Sequence, residues 1–264
     1  MNVSGPIVYF ELPFDLPGIF KNLITQTTVT LFAVTLILIT LAIVINRNIK
    51  KRPGRFQVIV EKLVTMLYNL VSDTMGKHNL RFAPYIGTLF LSSIFCTLIG
   101  MTQVFRSATA DLSVTAAWAL VTTGMVWYNN IKNFGFGTWL KGFTEPIVVM
   151  TPMNIVSEIA SPLSMAFRHF GNVAGGSVLT SLIYWALGGA SSLLFSWLPE
   201  AISSVMPPIL QVGIPAFLSV YFDLFSGFVQ ALVFSLLTMV YVGGACPPPE
   251  ELPKNQKAKA QEGN

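Results

Sequence analysis

Charge is what this chain has least of. Only 11% of its 264 residues are Asp, Glu, Lys or Arg, against roughly a quarter in ordinary soluble domains, while 53% are hydrophobic. That balance excludes a soluble globular domain and leaves room for about five or six membrane spans of roughly 20 residues each. Cysteine is nearly absent: Cys96 and Cys246 lie far apart, one in an apolar segment and one beside a proline run. They form neither a disulfide framework nor a metal-ligand spacing. No glycine-rich phosphate loop, Ser/His/Asp arrangement or metal cluster occurs, so soluble-type catalysis has no support, and neither a cofactor nor a metal is expected. The opening MNVSGPIVYFELPFDLPG has no basic region of the kind that begins a cleavable signal peptide. No internal repeat is visible, which weakens an inverted-repeat transporter. The net charge of +4 gathers at segment ends, as topology signals do, and gives no reason to expect a nucleic-acid partner.

What the chain does have is long apolar runs, and these predict an all-α integral membrane protein. Thr27 to Ile45 is the first span, followed by the densest cationic cluster, Arg47, Lys50, Lys51, Arg52 and Arg55. By the positive-inside rule that cluster is cytoplasmic, which puts the N-terminal segment 1–26 outside. Phe56 to Lys77 carries Val60, Val64, Leu67 and Val71 at helical spacing among Glu61, Lys62 and Asp73. It reads as an amphipathic helix on the cytoplasmic membrane surface or against a partner. Pro84 to Val104 crosses outward. Arg106 to Asp111 turns outside, with Asp111 either a helix cap or part of an outer vestibule. Leu112 to Ile131 crosses back towards Lys132 and Lys141. Two longer runs follow, Met153 to about Leu187 and Ile209 to about Gly244. Each exceeds the roughly 30 Å hydrocarbon core, so each must tilt or kink, with Pro162 and Pro215 as kink sites and Gly188, Gly189 and Leu198 to Ser204 in the turn between them. The expectation is thus a single membrane domain, 1–264, in which 27–245 holds about five transmembrane helices and their connections, including a long, strongly tilted C-terminal hairpin. The tail 246–264 is charged, proline-rich, expected to be disordered, and cytoplasmic.

Arg168 stands alone: between Lys141 and Lys254 no other Lys or Arg occurs. A guanidinium cannot discard its proton, and an ionisable residue at membrane depth defaults to a functional hypothesis. A fixed positive charge there suits the handling of a negative charge that comes and goes. Helical spacing gathers Ser161, Ser164, Gly171, Asn172 and Gly175 near the same face, where small residues would admit a close neighbour; the two glycines are also an ordinary helix-packing signal. On the second long run Asp223, Ser226, Gly227 and Gln230 share a face if the helix is regular. Asp223 is either part of a polar pathway or the structural ion partner of Arg168. His169 points about 100° away from Arg168 around the helix and is either a proton relay or simply hydrogen-bonded. Glu158 lies nearer the cytoplasmic end, in an exit pathway or merely solvated. Three function classes remain: an ion-translocating subunit, a secondary transporter or permease with an intramembrane Arg/Asp pair, and a structural membrane subunit.

PLSMAFRHFGNVAGG, Pro162 to Gly176, resembles the Pro-Leu-Ser-x-x-x-Arg-x-Phe-Gly-Asn segment of subunit a of F-type ATP synthases, and VQALVFSLLTMVYVGGA, Val229 to Ala245, resembles that subunit's C-terminal helix. PYIGTLFLSSIF from Pro84 and the order of spans are also similar, so the resemblance covers nearly the whole chain. It implies a bacterial plasma-membrane stator subunit whose two long tilted helices face a rotating c-ring, with subunit b of the peripheral stalk and membrane lipids as further partners. Arg168 would match the family's essential arginine, which exchanges protons or Na+ with the ring carboxylates. Asn172 would match the asparagine after it and Gln230 the facing glutamine; Ser164, Gly171 and Gly175 would face the ring. Many bacterial relatives carry a Glu where Ser177 stands here, and a His or other polar residue where Asp223 stands. The acid of the outer half-channel would then have moved from Ser177 to Asp223.

Overall fold

The computed structural model describes residues 8–10, 24–101, 107–145, 147–194 and 221–248. Seven α-helices account for most of them: α1 (Gln26–Arg47), α2 (Arg55–Met75), α3 (Ala83–Met101), α4 (Leu112–Phe134), α5 (Phe136–Gly142), α6 (Thr151–Leu194) and α7 (Gly227–Gly244). Two short strands, β1 (Val8–Phe10) and β2 (Ile24–Thr25), pair antiparallel ahead of α1. The composition carried no signal for them.

Among the described residues, four stretches are long and apolar enough to cross a membrane: Gln26–Arg47, Lys77–Gly100, Val148–Ser191 and Leu224–Gly244. The fifth expected span is present as α4, whose 23 residues give about 34 Å of helix, enough to cross. Its apolar character is diluted by Thr115, Thr122, Thr123, Asn129 and Asn130. On α1, Phe32, Leu36, Ile37, Ile39 and Ile43 are all exposed. A helix apolar all round and yet uncovered by its own chain is suited to lipid rather than water.

The last third departs from the simplest expectation. Helix α6 runs unbroken for 44 residues, through Pro162 and past Gly188 and Gly189 to Leu194. Pro162 removes one rung of the helical ladder and does not end the helix here. The two glycines expected in the turn are helical instead, since glycine weakens a helix by only about 1 kcal/mol relative to alanine. Helix α7 is preceded by a π-helical turn, Tyr221–Ser226. The remainder of the expected turn and the start of the second long run, with Pro215, lie outside the described residues, as do most of the N-terminal segment and the C-terminal tail.

The chain divides into two compact units. One comprises residues 34–92, 112–168 and 232–264. Its core joins Val71 and Met75 of α2 to Ala83 and Ile86 of α3 and to Met239 and Val242 of α7. The predicted apolar stripe of α2 is therefore used only at its C-terminal end. Phe56, Ile59, Leu63 and Val64 remain exposed, and Gln57 folds back to bond both backbone groups of Lys50. A second cluster packs Leu89, Ala119, Met165, Ala166 and Phe234, with Trp118 edge-on to Phe234. The end of α7 is held by side chains. Asn79 Nδ2, fully buried, donates to the carbonyls of Met75 (2.9 Å) and Cys246 (2.8 Å), and Asn133 Nδ2 donates to the carbonyl of Ala245 at 2.9 Å. Asn79→Ala removes a donor from the Met75 carbonyl and leaves the Cys246 carbonyl with His78 Nε2 at 2.9 Å as its remaining side-chain partner, so it should destabilise the chain by about 1–3 kcal/mol. A lower thermal midpoint in detergent checks this; an unchanged one would show that water replaces the amide.

The other unit comprises residues 1–33, 93–111 and 169–231. Within it Thr27 Oγ1 donates to Asp111 Oδ2 at 3.0 Å, and Ser107 Oγ donates to the carbonyl of Cys96 at 3.1 Å. Gly227 is buried against α3, where an added Cβ would collide with Thr97 Cγ2. This close approach is what requires glycine.

Candidate functional site

Arg168 sits on the open side of α6. Ser164, Arg168, Gly171, Gly175, Leu179 and Leu182 are all exposed and recur at intervals of three and four, so they form one stripe along the helix. Beyond the adjoining backbone of α6 itself, no heavy atom of the described residues lies within 4 Å of where a Cβ at Gly171 or Gly175 would stand. Met165, Ala166 and His169 form the opposite, buried stripe. The same helix thus turns its apolar and imidazole side inward and its guanidinium outward, onto a face of small residues.

Asn172 stands at the edge between these stripes, half-buried, and belongs to an amide network. Ser226 Oγ donates to Asn172 Oδ1 at 2.8 Å. Asn172 Nδ2 lies 3.4 Å from both the Ser226 carbonyl and Gln230 Oε1. Gln230 is buried, and among the described residues no acceptor reaches its Nε2. The residues picked from the sequence as Asn172, Ser226 and Gln230 are therefore brought together. Gly227, placed on the same face in the sequence, instead meets α3. The backbone of Asp223 lies in the π turn, whose wider i→i+5 bonding breaks the regular phase assumed between Asp223 and Gln230. The side chains of Asp223 and Ser177 lie outside the described residues.

His169 is fully buried, its Nε2 3.1 Å from Ser93 Oγ of α3. Ser93 was not singled out from the sequence, although Ser93 and Thr97, one turn apart in a predominantly apolar span, were the available signal.

Glu158 lies ten residues before Arg168 on α6. The Trp127 indole N–H donates to its Oε1. The carboxylate lines an open pocket of about 410 Å³ with Asn130, Thr138, Trp139, Phe143, Asn154 and Ser157, among others. Asn154 holds the turn beneath it, donating to the carbonyls of Phe143 (2.9 Å) and Glu145 (3.1 Å). Trp127, distant in sequence and one of several aromatics there, carried no signal. Among the described residues no group of three or more His, Cys, Asp and Glu side chains could hold a metal.

A chain of long apolar helices, one of which carries a lone arginine on its open face and an amide network further along, is an all-α, multi-pass integral membrane protein. Residues 28–243 match the family model described as ATP synthase A chain. The chain is 31% identical to the ATP synthase subunit a, sodium ion specific, of Propionigenium modestum, over 92% of this chain and 86% of that one. It is 32% identical to ATP synthase subunit a 1 of Crocosphaera subtropica, covering 83% and 86% respectively, and 29% identical to ATP synthase subunit a of Bacillus velezensis, covering 86% and 93%. The chain belongs to the ATP synthase A chain family.

Proposed function

We propose that this chain is the ion-translocating stator subunit of a bacterial F-type ATP synthase membrane sector, working in the plasma membrane against a c-ring. The observation that carries the proposal is the placement of Arg168, the only Lys or Arg in more than a hundred residues, on an exposed stripe of small side chains. Each ring subunit brings a carboxyl group that must be neutral to face lipid, since a bare carboxylate there is prohibitively costly. Opposite Arg168 the ionised form is favoured, and the bound proton or Na+ leaves. The same fixed charge stops ions from passing directly between the two sides. The outer half-channel would be lined by Asp223, Ser177, Asn172 and Gln230, and the inner one would open through the pocket beside Glu158. Ser164, Gly171 and Gly175 would form the surface on which the ring slides. Subunit b and membrane lipids are further partners, with the N-terminus outside and the C-terminus cytoplasmic.

Purifying the chain in its native complex tests the assignment. Recovery with a ring of small two-helix subunits, and ATP-driven ion uptake in vesicles that contain the whole complex, are the expected results. Solute transport by the chain alone in liposomes would favour a secondary transporter and overturn it. The inner opening has its own test. Trp127→Phe keeps the aromatic ring but removes the donor that orients Glu158, so passive conductance should fall about threefold to tenfold, the scale of one charge-assisted hydrogen bond in a half-exposed setting. Comparing Trp127→Phe with Glu158→Gln by vesicle ion flux checks it; full conductance in both would place the inner opening elsewhere.

A further inference from the structure

Beside the arginine, α6 carries a buried polar contact to which the proposed ion path assigns no role: His169 with Ser93. Three observations bear on it. Both residues have no measurable exposure, so the hydrogen bond is made where water cannot replace it. Ser93 is itself part of a rigid turn of α3, because Thr97 Oγ1 donates to the Ser93 carbonyl at 3.0 Å and the Thr97 methyl sits against Gly227, leaving no room for a Cβ there. Finally, His169 follows Arg168 directly, so its direction about the helix axis sets the direction in which the Arg168 side chain leaves the helix, about 100° away.

We propose that Ser93 and His169 are a positioning pair that sets the rotation of α6 and thereby aims Arg168 out of the chain. The proposal rests on Arg168 working against a ring carboxyl. Met165 and Ala166 pack against Leu89, Ala119 and Phe234 and Asn172 is bonded to Ser226, so the angle has other supports; the Ser93–His169 bond is the directional contact next to the arginine. A rotation of about 20° carries a group at the helix surface, about 6 Å from the axis, through about 2 Å. Displacements of that order matter for a charge pair whose attraction depends on separation. The imidazole acts here as a hydrogen-bonding strut of fixed length. The same turn of α3 meets the start of α7 at Gly227, so α3 is the common support for the arginine and for the Ser226–Gln230 side of the amide network.

The test compares His169→Gln, His169→Asn and His169→Leu with Ser93→Ala in the whole complex. A glutamine amide reaches about as far as Nε2, whereas an asparagine amide stops near Nδ1. His169→Gln should therefore keep most of the ATP-driven ion transport. His169→Asn, His169→Leu and Ser93→Ala should each lose about tenfold to a hundredfold, the scale of a misplacement of an ångström or so. Ser93→Ala removes a single oxygen and guards against failure of the larger changes to assemble. Rotation is read directly with single cysteines at 164, 171, 175, 165 and 166, in a background with Cys96→Ala and Cys246→Ala. With His169 present, a small thiol reagent should label 164, 171 and 175 and spare 165 and 166; in the inactive variants labelling should spread to 165 or 166.

Loss of transport in His169→Gln as well as His169→Asn, with labelling unchanged, would make His169 a proton relay and overturn the proposal. Full transport in His169→Leu or Ser93→Ala would also overturn it. Failure of cysteines at 164, 171 and 175 to cross-link to the ring while His169 is intact would instead count against the ring-facing placement, and the labelling pattern would still decide the positioning role.

Discussion

Arg168→Ala should abolish both ATP synthesis and ATP-driven ion transport while the complex still assembles. The side chain is exposed along the open stripe of α6, so truncating it leaves no cavity in this chain's core. What disappears is the only fixed positive charge on that part of the chain. An opposite charge within about 4–6 Å lowers a carboxyl pKa by about 1–3 units, so without it ion release from the ring becomes about tenfold to a thousandfold less favourable. The barrier to direct ion leakage is lost at the same time, so the loss of coupling should be effectively complete. Arg168→Lys should fail nearly as badly, because an ammonium on a flexible stem lacks the planar fork and gives up its proton more readily in an apolar site. Vesicles carrying the purified complex provide the measurement, with assembly judged by yield. Coupled transport surviving in the alanine variant would sink the proposed function.

How much of this could be read beforehand differs between elements for physical reasons. The spans were legible because membrane insertion acts on composition over some 20 residues, and α1, α3, α6 and α7 carry that signal in long, predominantly apolar runs. Arg168 was legible because a charge in such a run has no ordinary explanation. The extent of α6 was not, because one proline and two glycines change helix stability by amounts that tertiary contacts can override. The π turn at Tyr221–Ser226 left no trace in a pattern assumed to repeat every 3.6 residues, and it breaks the regular backbone phase expected between Asp223 and Gln230. The amide cluster was half visible: Asn172 and Gln230 stood out by polarity, but their meeting through Ser226 needed the structure. The pairings of Trp127 with Glu158 and of Ser93 with His169 could not be read, since they join residues 31 and 76 positions apart and nothing in Glu158 or His169, which did stand out, names its partner.

Gly171→Leu should leave the chain as stable as before and stop it from working. Space for the new side chain is open: beyond the adjoining backbone of α6, no heavy atom of the described residues lies within 4 Å of the Cβ position. Leucine is also the better helix former, by about 0.8 kcal/mol. If the glycine served packing within this chain, filling it would disturb the fold. Because it faces outward, three residues beyond Arg168, the added isobutyl group projects instead into the path the ring helix must take. A sliding contact between two helices tolerates small residues at close range, and a branched side chain there must either interlock with the ring or hold it away. Either outcome is costly. Interlocking resists rotation, and a separation increased by a few ångströms weakens the Arg168–carboxylate attraction in the low-dielectric setting where distance matters most. Coupled transport should therefore fall at least about tenfold, as expected for a misplacement of this size, with the thermal midpoint and yield of the complex within error of the parent. Gly171→Ala, which adds only a methyl group, should retain most activity, and this graded response separates crowding from a specific need for glycine backbone freedom. Normal transport in the leucine variant would remove the ring from this face of α6. Poor yield with normal transport per complex would return the glycine to an ordinary packing role.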